Sequence, residues 1–191
     1  MEKISITPEQ IFCHQPMYVI GTKDEDGQAD FSVITWIGFN WNGCPHIMLG
    51  IGGKKKTKDN ILRENAFSAN LVSTDMVWLA DYFGCTKGYD GKKDKLRYNF
   101  SWGENVDVPI LEQSKWIFEC KVSETIELKD SHIFISKIEN IQIDKQLRDM
   151  DLQMIDLLKL NPVIYAPYSY FSIGDKLGDC GDWNKYFNFS Q

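Results

Sequence analysis

The run "DFSVITWIGFNW", residues 30–41, is followed by Asn42-Gly43 and then by "PHIMLGI", residues 45–51. The first run is β-branched and aromatic, as pleated, half-buried strands require, and the second reads as its return strand. Asn-Gly between them is a strong hairpin signal, because the tight hairpin turn needs positive φ at its two central residues. An antiparallel pair is therefore fixed locally. The pattern recurs along the chain. "MYVIGT", residues 17–22, reads as a strand that turns at Asp26-Gly27, and "AFSANLVS", residues 66–73, reads as another. "KWIFECKVSETIEL" (115–128) and "HIFISKIENIQID" (132–144) flank Lys129-Asp130-Ser131, and "SYFSI" (169–173) comes last. In the first of these, Trp116, Phe118, Cys120 and Val122 alternate with Lys115, Glu119 and Lys121, which predicts a half-buried strand.

Helices are few. Thr57 is placed to cap a helix reaching about Asn65, with Asp59 in its first turn. Ser73 or Thr74 is placed to cap a second, with Met76, Val77, Leu79, Ala80 and Phe83 as apolar positions and Gly84 as its stop. "QLRDMDLQMIDLLKL", residues 146–160, has helical spacing up to Asn161-Pro162. Strands joined by hairpins and by links that are not βαβ units predict a mainly β protein with a few α-helices, built as an antiparallel barrel.

A chain of 191 residues with no repeat or linker reads as one domain over 1–191. No run approaches the roughly 18 apolar residues of a membrane helix. The N-terminal "MEKISITPEQIF" lacks the apolar stretch of a secretory leader. Five cysteines lie scattered without a C-x-x-C pair, which reads as reduced thiols and a cytoplasmic protein, not a zinc site or disulfide framework. A net charge of -6 argues against nucleic acid as a partner.

Against that acidity stands "GIGGKKKTKDNI", residues 50–61, where four of the five residues from Lys54 to Lys58 are lysines. They precede a helix start, where the helix dipole disfavours positive charge. The spacing does not fit a Walker A loop. It also fails the dinucleotide fingerprint, because the third glycine position falls on Lys55 and no βαβ unit follows. Two readings stay open: a solvated loop, or a seat for a phosphate, which helix N-terminal amides favour and which would offset the repulsion among the lysines.

The surrounding residues carry a resemblance. Thr35-Trp36, Thr57-x-x-Asn60-Ile61, Phe67-Ser68-x-Asn70-Leu71 and Asp81-Tyr82-x-Gly84…Gly88…Asp94-Lys95 occur in the order and spacing of the flavin reductase-like family with the FMN-binding split-barrel fold, nearest its flavoredoxin branch. Asp130 and His132, and the closing Tyr170, Phe171 and Gly174, resemble further family elements, so the likeness spans about residues 17–178. Lys87 stands where the family has Ser, and Phe171 where it has a second Tyr.

The resemblance implies an antiparallel Greek-key split β-barrel and a homodimer that binds FMN at its interface. It places the isoalloxazine along Thr35, Trp36, Ile37 and Gly38 and along Asn70, Leu71 and Ser73. It places the phosphate near Lys54, Lys56 and Thr57, with Asn60 supporting the loop and Lys95 reaching in from the long segment 85–108. For each, a bland role stands beside the functional one: strand packing for Trp36, simple capping for Thr57, a surface position for Lys95. His132 is placed near a nicotinamide entry or in a structural strand role, and nothing marks Cys85 as reactive. No catalytic residue and no metal ligand is expected, since a flavin does the electron chemistry itself.

The implied activity is an oxidoreductase, an NAD(P)H-dependent flavin reductase passing electrons from NADH or NADPH through FMN to an acceptor. The alternatives are a non-enzymatic flavoredoxin-type electron carrier reduced by a protein partner, and a split barrel that binds ligand without redox use. The aromatic tail "WNKYFNF", residues 183–189, supports a homodimer. The polar segment 85–108, with Gly84, Gly88, Gly91 and Gly103 as hinge points, is expected to form a mobile cover over the flavin.

Overall fold

The computed structural model of the protein describes residues 3–89, 95–149 and 154–185. Gly91, Asp94 and the tail residues 186–189 named above lie outside the described residues, as do residues 150–153 of the expected third helix.

The chain opens with β1 (Gln15–Pro16), β2 (Tyr18–Lys23) and β3 (Ala29–Ile34). Asp24 makes the β2–β3 turn, its Oδ1 accepting from the amides of Asp26 at 3.0 Å and Gln28 at 2.7 Å, with Gly27 at φ 75°. β4 (Ile37–Trp41) and β5 (Pro45–Gly52) form the expected hairpin, with Gly43 at φ 71°. Then come α1 (Lys56–Glu64), β6 (Ala66–Leu71), a 3₁₀ turn (Thr74–Met76) and α2 (Val77–Cys85). β7 (Phe100–Trp102) pairs with β8 (Pro109–Leu111), so part of the segment read as one long loop is a small hairpin. β9 (Trp116–Glu127) and β10 (Ser131–Ile143) are the longest strands. β11 (Arg148–Asp149), β12 (Met154–Ile155), α3 (Leu157–Leu160), β13 (Val163–Ala166) and β14 (Ser169–Ser172) complete the order.

Seven strands run in the order β3-β2-β6-β9-β10-β5-β4, every pair antiparallel. The outermost strands, β3 and β4, are consecutive in the chain. The run expected as one strand over 30–41 is in fact broken at Thr35-Trp36. Its first half pairs with β2 and its second with β5, so one bent strand joins both ends of the sheet. The Gly50 amide donates to the Trp36 carbonyl at 2.8 Å and carries the β5 edge across the break. The result is an antiparallel Greek-key split β-barrel.

Alternation along β2 divides the core. Tyr18 and Ile20 point inside the barrel with Ile47, Leu49, Phe67 and Phe134. Met17 and Val19 point the other way, packing with Phe31 against Met76, Ala80 and Phe83 beside α2.

Other expectations need correction. Thr57 does not cap α1: the N-cap is Lys55, in extended geometry and without a side-chain cap. Asn65 ends α1 in the left-handed region, its amide donating to the Ile61 carbonyl. Gly84 does not stop α2, which runs on to Cys85. The helix expected over 146–160 shrinks to α3, because Arg148 and Asp149 pair with Ile155 and Met154 instead. Asp156 caps what remains, accepting from the Lys159 amide at 3.0 Å. Glu119, which the alternation along β9 assigns to the solvent face, is fully buried. No helix among the described residues is long and apolar enough to cross a membrane.

Candidate functional site

Two clefts meet at Lys55. The first, of about 630 Å³, lies over the β3–β4 break and the end of β5. Ile34, Thr35 and Trp36 form one wall, and Gly50, Gly52 and Gly53 form the floor. The glycines leave a flat surface beside the Trp36 ring: a Cβ on Gly52 would stand 3.7 Å from Trp36 Cζ3. Phe12 of the N-terminal arm packs edge-on against Trp36 at 6.4 Å, while Tyr165 and Tyr168 close the far side from the β13–β14 hairpin. Tyr168 sits at φ 63°, a conformation that a bulky residue rarely adopts.

The second cleft, of about 510 Å³, opens at the N-terminus of α1. Lys54, Lys55, Lys56 and Thr57 line one side, and residues of the α2 end, Thr86, Lys87 and Tyr89 among them, line the other. The first intrahelical bond runs from the Asp59 amide to the Lys55 carbonyl at 3.2 Å. Earlier amides in that turn have no carbonyl to reach inside the helix, as at every helix start. Their partial positive charge adds to that of the lysines.

The lysines are not equivalent. Lys56 Nζ is paired with Asp24 Oδ2 at 3.0 Å. Lys54 Nζ stands 5.4 Å from the centre of the Tyr89 ring. Lys58 donates to the Gly53 carbonyl at 2.5 Å, holding the Gly-Gly turn against the helix. Lys55 and Lys87 make no ion pair among the described residues, and Lys55 alone of the run lines both clefts.

The structure therefore brings Thr35 and Trp36 together with Lys54, Lys56 and Thr57 through Lys55. Ile37 is turned toward the barrel core, and Gly38 backs onto Met48. Four expected site residues are committed elsewhere. Asn70 is fully buried, its Nδ2 donating to the Val19 carbonyl at 2.9 Å and to Ser68 Oγ at 2.8 Å, its Oδ1 accepting from the Leu111 amide at 2.9 Å. It ties β2, β6 and β8 together and reaches neither cleft. Leu71 belongs to the barrel core. Ser73 is buried and donates to Asp75. Asn60 donates to Thr22 Oγ1 at 3.0 Å and accepts from Arg63 at 3.3 Å, so it braces α1 against β2. Lys95 is exposed and lines neither cleft. The Thr57 hydroxyl points to the buried Asp30 carboxylate at 3.5 Å, which leaves Thr57 its main-chain amide for any ligand.

Cys85 borders the second cleft. Burial, and then the neighbouring Asp81 carboxylate, push its thiol up, which suppresses the thiolate that nucleophilic chemistry needs. His132 lies on β10 opposite Ile51, its ring stacked on Phe134 at 6.0 Å. Sequence reasoning covers Lys55 only as part of the Lys54–Thr57 stretch and does not single out Lys87, Tyr89, Phe12, Tyr165 or Tyr168, which line these clefts. Lys55 carried a usable signal, since the residue just before a helix faces the amides of its first turn. The aromatic closure carried none, because residues more than 100 apart in sequence meet there.

A family model described as flavin reductase like domain matches residues 12–174. Among solved structures, the flavoredoxin of Desulfovibrio vulgaris (Miyazaki F) superposes with a TM-score of 0.86 at 26% identity, covering 94% of this chain and 98% of that one. A flavoredoxin from Methanosarcina acetivorans gives 0.87 at 24% identity over 97% and 99% of the two chains. An FMN-binding protein from Thermus thermophilus gives 0.77 at 18% identity over 94% and 99%. Among curated proteins none matches.

Proposed function

Because this chain belongs to the flavin reductase-like domain family, we propose that it is an FMN-holding oxidoreductase that carries electrons from NADH or NADPH to an acceptor. One observation carries the reading: an aromatic-walled cleft with a glycine floor and a cationic cleft at a helix start are neighbours that share Lys55 in their lining. A planar ring with a charged tail needs that combination.

The residues present fit FMN. Trp36 and the Gly50–Gly52–Gly53 floor offer an uninterrupted face to a flat ring. Lys55, Lys87 and the α1 amides offer charge and donors to a phosphate. A bound flavin supplies hydride and single-electron transfer. The protein's part is position and electrostatics. The amides and lysines hold the phosphate. Phe12, Tyr165 and Tyr168 line the ring cleft and offer apolar contact to a flat ring.

The similarity to the two flavoredoxins favours a second reading, a carrier reduced by a protein partner. Absorbance of the purified protein under anaerobic titration separates the readings. Bleaching of bound flavin by NADH or NADPH supports the reductase. Tightly bound flavin that neither nucleotide reduces supports the carrier. Absence of flavin, with no binding of added FMN, refutes both.

We further propose a homodimer. Trp41 and Trp78 are 72% and 75% exposed and Tyr168 is 92% exposed, more large aromatic surface than a monomer gains from showing to water. Light scattering that returns the 22.1 kDa monomer mass at micromolar concentration refutes it.

A further inference from the structure

A third cleft, of about 710 Å³, lies behind the cationic one. Asp24, Glu25, Asp26, Asp30 and Asp59 line it and outnumber its two cations, Lys56 and Arg63, and it shares Lys56, Gly88 and Tyr89 with its cationic neighbour. Two clefts of opposite charge are thus divided by one short piece of chain. That piece is fastened at three points. The Tyr89 hydroxyl donates to the Asp59 carboxylate on α1. Lys54 Nζ lies over the Tyr89 ring at 5.4 Å. Gly88 presses so closely on α1 that a Cβ there would stand 2.8 Å from Lys56 Cβ and 3.5 Å from Asp30 Oδ1.

We propose that Tyr89 is a selectivity residue of the phosphate site: held on Asp59, it ends the cationic cleft after one phosphate, so that the site takes a flavin mononucleotide and refuses the adenine dinucleotide. This rests on the FMN reading above. A flavin dinucleotide must continue past its first phosphate with a second phosphate and an adenosine. The continuation past Tyr89 is the acidic cleft, where a second phosphate meets Asp26, Asp59 and an Asp24 already matched by Lys56. Like charges there repel, and because Asp26 and Asp59 are exposed the repulsion is greatest at low salt. Partial burial and the Asp59 carboxylate beside it push the Tyr89 hydroxyl up to about 12, so it remains a hydrogen-bond donor across the neutral range.

The test is equilibrium binding of FMN, FAD and riboflavin to flavin-free protein, read by quenching of flavin fluorescence, in the wild type and in Tyr89→Ala, Tyr89→Phe and Asp59→Asn. The wild type is expected to hold FMN at least about tenfold tighter than FAD, a difference of about 1.4 kcal/mol. Tyr89→Ala is expected to close most of that gap through a gain for FAD, with riboflavin unchanged. Tyr89→Phe keeps the ring but breaks the latch, whereas Asp59→Asn keeps an acceptor for the hydroxyl and removes a negative charge from the acidic cleft; both are expected to fall between. Equal binding of FMN and FAD by the wild type overturns the proposal. So does an unchanged FMN-to-FAD ratio in a Tyr89→Ala protein shown to be folded by circular dichroism. A wild type that binds none of the three flavins refutes the FMN reading itself, and this proposal falls with it.

Discussion

The Trp36 carbonyl accepts a hydrogen bond from the Gly50 amide at 2.8 Å, and the Trp36 ring lies along Gly50 and Gly52. The residue that breaks the long β run thus extends the β4–β5 ladder with its main chain and lines the first cleft with its side chain. Fold and site share one joint.

That joint yields the first prediction. A Cβ on Gly52 would meet Trp36 Cζ3 at 3.7 Å, an ordinary contact, whereas a branched side chain would have to move the ring. Gly52→Ala is expected to change stability by less than about 1 kcal/mol and to bind flavin normally. Gly52→Val is expected to weaken FMN and riboflavin equally, since the ring wall moves and the phosphate seat does not. Calorimetry that finds only FMN weakened would remove Trp36 from the ring site.

Gly21 is a purely structural test. β2 passes beneath β8 so closely that a Cβ on Gly21 would overlap the Pro109 carbonyl oxygen and stand 2.8 Å from Phe31 Cε1. The same oxygen accepts from Ser68 Oγ at 2.5 Å, so it is not free to withdraw. Gly21→Ala is expected to destabilise by about 3 kcal/mol or more. Urea unfolding measures it, and a midpoint equal to the wild type would show that β8 can lift away.

Glu119 makes a pH prediction. Its carboxylate accepts from the amides of Glu104 at 3.1 Å and of Asn105 and Val106 at 2.8 Å, and from Asn140 and Gln142 at 2.8 Å each. Burial pushes this carboxyl up, but the Gln142, Asn140 and main-chain donors outweigh it and hold it below the ordinary glutamate value of 4.5. The unfolded chain therefore takes up a proton at higher pH than the folded one. The stabilisation is complete above that ordinary value and is lost as pH falls through the folded one. Glu119→Gln, which brings an amide NH₂ into a ring of donors, is expected to cost about 2 kcal/mol or more near neutrality. The gap to wild type should narrow in acid. A gap independent of pH would mean that the carboxylate charge contributes nothing.

These residues also show what could be read in the sequence. The Asn42-Gly43 hairpin was legible because its cause is local, although only Gly43, at φ 71°, takes the left-handed conformation and the loop spans residues 42–44. The barrel was legible as strands without βαβ links, and its split form as a resemblance. The closure at Thr35-Trp36 was not, because nothing local distinguishes a bent strand from a straight one. Residues 146–160 were misread because short apolar spacings suit a helix and a tight β pair alike, and the choice falls to tertiary contacts at Leu147 and Leu160, both buried. Glu119 and Asn70 looked like ordinary strand-face polar residues. Their partners come from chain positions up to 51 residues away, so no local pattern reports their burial.

The last prediction separates lysines that the sequence presents as equals. Lys56 stands in a pair with Asp24 at 3.0 Å, and a lysine whose charge is already matched has less to give a phosphate. Lys55 is unmatched among the described residues, stands at the helix start and lines both clefts. Lys55→Ala is therefore expected to weaken FMN by about 1–2 kcal/mol, the scale of a charge-assisted contact, while leaving riboflavin nearly unchanged. The loss should shrink at high salt, because ions screen a partly exposed contact of this kind. Lys56→Ala is expected to weaken FMN less. It should lower stability instead, by no more than about 1 kcal/mol, because Asp24 loses its partner at a partly exposed site. Calorimetry with FMN and riboflavin at two salt concentrations, alongside urea unfolding, reads all of these effects. If Lys56→Ala proves the more damaging to FMN and Lys55→Ala the more neutral, the proposed phosphate seat at Lys55 is wrong and lies toward Asp24 instead.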